Sequence, residues 1–132
     1  MRLIRKSLVF AFAAVIMAAS VGLGAGVVQA HHGWAWTEDD ISELEGTIVS
    51  ISLGNPHAAL DVDVDGEIWH VELAPPRATA SSGFVEGVAD EGDTVQAIGH
   101  RSRTPEERTF KAVRLIIGGE TYDIYPRRLP AD

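Results

Sequence analysis

The chain has 132 residues, eleven basic against nineteen acidic side chains, a formal charge of −8 and no cysteine. Without thiols it can form no disulfide, thiolate metal site or lipidated cysteine. An acidic surface of this kind also repels phosphate backbones, which argues against nucleic acid as a partner.

Charge is unevenly distributed: Arg2, Arg5 and Lys6 head the chain, and no acid precedes Glu38. Residues 8–28 behind that head are apolar and uncharged. The run exceeds the roughly 7–15 residues of a signal-peptide core and reaches the length of a membrane span. Its second half is rich in alanine and glycine, however, and Val28-Gln29-Ala30 has the small-x-small pattern of a signal-peptidase site. The expectation is a leader over residues 1–30, cleaved on export to a periplasm. The alternative is an inner-membrane anchor over 8–28, which would be the chain's only membrane contact. Cleavage takes away three bases and no acid, leaving 102 residues at a charge of −11. That is one domain, large enough to bury a single core.

Cleavage after Ala30 makes His31 the first residue. Its α-amine and ring Nδ1 form a six-membered chelate, and both donors are neutral at modest proton cost near pH 7. His32 offers a second mode through amine, deprotonated peptide nitrogen and imidazole. Nitrogen donors of this kind favour Cu(II) over Zn(II), and His57 or His100 is the expected third ligand. Residues 31–43 read as an arm. In an extended arm Trp34 and Trp36 project to the same side, either walling a ligand site or pinning the arm so that it closes one end of the domain.

The domain proper is expected over residues 44–126, with a polar tail over 127–132. Residues 44–53 read as a β-branched strand ended by Gly54-Asn55-Pro56, which is turn chemistry. Two alternating strands, 57–64 and 67–73, flank Asp65-Gly66, a two-residue hairpin signal. That turn sets Val62 against Trp69 and Leu60 against Val71 on one face, with Asp61 against His70 and Ala59 against Glu72 on the other. The second face reads as solvated, although Asp61, Asp63, His70 and Glu72 could hold a cation weakly. Residues 77–82 suit a short helix with Pro76 in its first turn, followed by Phe84, Val85 and Val88 as apolar plugs. Further strands are expected over 93–100 and 109–117, the latter turning at Gly118-Gly119 onto 120–125. Between them lies a charged loop in which Arg101 and Arg103 could grip an anion; Arg108 joins them, but Glu106 and Glu107 interrupt any basic patch.

Three strands, a short helix and two to three more strands is the order of an all-β, Greek-key, OB-like barrel of five to six strands. A catalytic inventory is thin: no cysteine, no histidine close in sequence to Ser81 or Ser82, and no phosphate loop.

The stretches HHGWAW, GTIVSISLGNPHAAL, WHVELAPP and GDTVQAIGHRSR together resemble a family of small exported proteobacterial proteins of unknown function. Members typically begin their mature form with His-His-Ser-Phe and carry an Asn-Pro-His. The match spans residues 30–125 and places His31, His32, Asn55, Pro56, His57, Gly99 and His100 at motif positions; Gly33-Trp34 stands where Ser-Phe is usual. The resemblance implies a periplasmic OB-like domain and no particular biochemical role. More loosely, the chain resembles periplasmic OB-fold stress proteins, which act as binding modules.

Two functions follow as expectations. One is a binding module holding copper or another transition metal through His31 and His32, with copper redox chemistry as its only enzymatic extension. The other is a metal-independent module in which Trp34, Trp36, Asn55, Arg101 and Arg103 contact a protein or a small anion.

Overall fold

The computed structural model describes residues 33–131. The leader over 1–30, the alternative anchor over 8–28 and the His31–His32 chelate therefore lie outside the described residues.

The Asp65-Gly66 turn sits where the sequence demands it, with φ of 54° and 87°. Two positive φ values are what a tight hairpin needs to match the twist of its strands. It joins β2 (Ala59–Val64) to β3 (Glu67–Glu72), and every expected pair from Ala59↔Glu72 to Val64↔Glu67 is observed. At the other end Gly118-Gly119 joins β5 (Thr109–Ile117) to β6 (Glu120–Asp123), with Leu115 opposite Tyr122 and Arg114 opposite Asp123 as the turn dictates. The Arg114–Asp123 pair is bidentate, at 2.6 and 3.2 Å.

The long first strand, β1 (Ser42–Ser52), begins two residues earlier than its β-branched run suggests. It pairs with β4 (Thr94–Arg101) through its first half and with β2 through its second. A parallel join between β3 and β5, from His70↔Thr109 to Glu72↔Lys111, closes the ring β1-β2-β3-β5-β4. The short helix α1 (Pro76–Ser81) lies between β3 and β4. This is the small all-β, OB-like barrel with β6 added as a further strand.

Two bulges keep the inward stripe in phase around the ring. On β1, Ile48 faces Val62 but Ser50 already faces Asp61, so Val49 is the extra residue and is 44% exposed. Leu44 and Ile48 point inward before it, and Ile51 and Leu53 pack on the core after it. On β5, Arg114 faces Ile98 while Ala112 faces Gly99, making Val113 the extra residue. A bulge shifts the parity of a strand by one, which is why Phe110 and Ala112, then Leu115 and Ile117, all reach one core.

Phe84 plugs that core, but Val85 and Val88 do not: they are 42% and 37% exposed. Their segment is drawn along β1 instead, because Gly92 N–H donates to Ile48 O and Ile48 N–H donates to Asp93 O. The described residues 33–131 fall within one compact unit, and a closed core within it gives the barrel what independent folding requires.

Candidate functional site

Glu72, Lys111 and His100 are register partners across β3, β5 and β4. Their neighbours Val71 and Phe110 point into the core, so by alternation this row faces outward. Lys111 is nonetheless only 1% exposed. Its Nζ donates to Glu72 Oε1 at 3.1 Å and to the Gly33 carbonyl at 2.8 Å. Three rings surround it, Trp34 at 4.6 Å, Tyr125 at 5.7 Å and Trp36 at 5.9 Å. A desolvated cation over aromatic faces gains roughly 0.5–2 kcal/mol per good contact.

The cover over this row comes from two stretches distant in sequence. The carbonyl of Val113, at the β5 bulge, accepts the amides of both Ile124 and Tyr125 and brings Tyr125 beside Lys111. Beyond it, the 3-10 turn Pro126–Arg128 sets the Arg128 guanidinium 3.9 Å from the Trp34 ring. The second stretch is the arm. Thr37 donates through both its amide and its Oγ1 to Trp34 O, Glu38 N–H donates to Arg101 O and Arg103 N–H donates to Trp36 O. Residues 33–36 are thus turned rather than extended. The tryptophans do pin the arm, but over the outer wall across β5 instead of at an end of the barrel. Glu72 is correspondingly buried, where alternation alone puts it on a solvated face.

His57 sits at the margin of this cluster, its Nε2 3.9 Å from Glu72 Oε1. His100 Nδ1 lies 3.1 Å from the carbonyls of both Glu38 and Asp40. Carbonyls only accept, so Nδ1 carries the proton and a neutral ring leaves Nε2 with its lone pair. Burial raises the Tyr125 pKa, as does the Glu72 charge; Arg128 partly opposes them.

A separate cleft of about 160 Å³ opens between Trp69 on β3 and the loop after β4. Arg101 lays its guanidinium 4.8 Å from the Trp69 ring centre. Arg108, in the left-handed region at φ 44°, borders the same cleft and is tied to Glu67 at 2.8 Å. Among the described residues no carboxylate lies within ion-pair distance of Arg101. The loop is organised by the 3-10 turn Pro105–Glu107, with Ser102 Oγ donating to Glu107 Oε2 and accepting from Thr104 N–H. Arg103 is set apart: it pairs with Asp39 at 2.9 Å and does not border the cleft. Asn55 does not line the cleft either; it is exposed in a turn whose Asn55–Pro56 peptide is cis.

On the outer face of the β2–β3 hairpin, Asp61 accepts from Ser50 Oγ at 2.9 Å and lies 3.0 Å from His70 Nδ1. Burial pushes the Asp61 pKa up, but the His70 and Ser50 hydrogen bonds and the His70 charge outweigh it and hold the carboxyl below 3.8. Asp63 accepts the Gly66 amide at 2.8 Å and so serves the turn. Among the described residues no three His, Asp or Glu side chains form a metal-holding group.

The Lys111–Glu72 pair was missed by sequence reasoning. One signal pointed to it: Lys111 is the only lysine after Lys6 and stands between Phe110 and Ala112 in an apolar strand. No protein-family model matches this sequence, and no curated protein sequence matches it.

Proposed function

We propose that the chain is an exported, non-catalytic OB-like binding module whose ligand seat is the Trp69–Arg101–Arg108 cleft, and that its ligand presents a small oxyanion. The observation carrying this reading is Arg101, whose guanidinium lies over the Trp69 ring at 4.8 Å and which has no carboxylate within ion-pair distance among the described residues, although Glu38 also lines the cleft. Contact with the ring restrains the guanidinium, and its fork of donors matches a carboxylate or phosphate. A cleft of about 160 Å³ suits one such group rather than a large molecule. Barrels of this type commonly bind through the strand 2–3 face and the loops between strands 1–2 and 4–5; Trp69 and the Arg101–Arg108 loop occupy that region.

Calorimetric titration with glutarate and with inorganic phosphate tests it. Arg101→Ala is expected to weaken binding about tenfold or more, the value of one charge-assisted bidentate contact, while Arg103→Ala leaves it unchanged. Equal loss in the two variants, or binding by neither anion, would remove the seat from this cleft.

A second reading keeps the mature N-terminus as a copper site built on His31 and His32. It is supported by the tethering of Gly33 to Lys111, in a chain of contacts that continues through Glu72 to His57, and by His100 packed edge-on to Trp34 at 5.7 Å. Cu(II) titration with EPR should give tight one-to-one binding with nitrogen-rich coupling for protein beginning at His31. His31→Ala/His32→Ala, which removes both imidazoles, should abolish it. Equal, weak binding by both forms would end this reading.

A further inference from the structure

A larger cleft lies elsewhere, and neither reading above uses it. It is lined by the apolar Ile51, Leu53, Phe84 and Val85 and by the acidic Glu86 and Asp90. Its volume, about 480 Å³, is three times that of the Arg101 cleft. We propose that this cleft docks a cationic amphipathic peptide segment, seating one or two aliphatic side chains on the apolar lining with flanking lysines or arginines over the acidic rim.

Three observations lead there. The apolar side is open to water: Val85, which lines the cleft, is 42% exposed, in a segment that also supplies the fully buried Phe84. The segment is held in shape, because Gly92 and Asp93 bond the backbone of Ile48 and Asp93 Oδ2 accepts the Asp90 amide. A binding surface ordered beforehand loses little entropy when its partner arrives. Finally, the rim is of one sign. From Ala78 to His100 the chain has no lysine or arginine, but it has Glu86, Asp90, Glu91 and Asp93. Among the described residues neither Glu86 nor Asp90 has a basic side chain within ion-pair distance.

Charge selects the occupant. A second copy meeting the cleft symmetrically would set the same acids against each other at close range. An anionic membrane surface is repelled in the same way. A peptide carrying basic residues on either side of an aliphatic one satisfies both the apolar lining and the rim.

The test is fluorescence anisotropy with a labelled lysine–leucine decapeptide, against its glutamate–leucine counterpart. The lysine peptide should bind and the glutamate peptide should not. E86Q/D90N should weaken binding about fivefold, the sum expected of two rim charges. Val85→Ser, at an exposed position that leaves the core intact, should weaken it as well. E45Q/E120Q removes the same charge from exposed positions outside the cleft and should leave affinity within about twofold. Arg101→Ala should have no effect, which separates this surface from the oxyanion seat. Equal weakening by the two double variants would reduce the interaction to the general negative field and overturn the proposal. Self-association in sedimentation that E86Q/D90N abolishes would overturn it too, by assigning the cleft to a second copy.

Discussion

Gly99→Ala should destabilise the barrel by about 3 kcal/mol or more, the upper end of what overpacking a tight interior costs. A Cβ at this position would collide with the Lys111 carbonyl oxygen and stand 2.9 Å from Ala112 Cα. Both obstacles are backbone, so no rotamer change relieves them. The crowding follows from the β5 bulge, where Gly99 and Ile98 of β4 span the extra Val113. Urea unfolding followed by tryptophan fluorescence reads the effect. Gly54→Ala is the comparison: its nearest neighbour would be Ser52 Oγ at 3.9 Å, so a change within about 1 kcal/mol is expected. Similar losses in both variants would mean that close backbone approach is not what position 99 requires.

Lys111→Met should cost a comparable amount for a different reason. Removing the ammonium leaves Glu72 covered by the arm with its nearest cation gone, and breaking a buried pair at one end typically costs about 3–5 kcal/mol. The Gly33 carbonyl loses its donor at the same time. Lys111→Met combined with Glu72→Gln removes the stranded charge and should recover a large part of the loss. Unfolding free energies of the two single variants and the double variant form the cycle that checks this. If Lys111→Met alone unfolds within about 1 kcal/mol of the parent protein, the pair is not what fixes the arm.

These two residues also mark where the sequence was readable and where it was not. The β2–β3 and β5–β6 hairpins were legible because Asp65-Gly66 and Gly118-Gly119 fix a turn, and a turn fixes every pair counted outward from it. The OB-like strand order followed from the position of the short helix. The bulges at Val49 and Val113 were not legible: within the apolar stretches around them, one extra residue leaves no break in hydrophobicity. The burial of Lys111 depends on residues 33–36 and 125 coming to lie over β5, and no local pattern encodes a lid supplied by distant segments. The same limit separated the arginines. Arg101 and Arg103 are equivalent as a charge count, yet one lies over Trp69 in a cleft while the other meets Asp39. Val85 and Val88 read as core because they are valines, but the backbone bonds to Ile48 carry their segment along the outside of β1.

The parallel join between β3 and β5 has a bearing on the order in which the molecule assembles. It consists of three register pairs, and Glu72 and Lys111 are 39 positions apart in the chain. The hairpins on either side of it bring together residues close in sequence and pay little loop-closure entropy, whereas this join must gather a long intervening segment before any contact repays the cost. Together with the β1–β4 pairing, which spans still more of the chain from Thr47↔Thr94 to Ser42↔Gly99, it is one of the two joins that convert two local sheets into a closed ring. The groups that collect on it, a salt link from Lys111 to Glu72 and aromatic rings from both sides of the barrel sequence, fasten a join that has only three register pairs of its own.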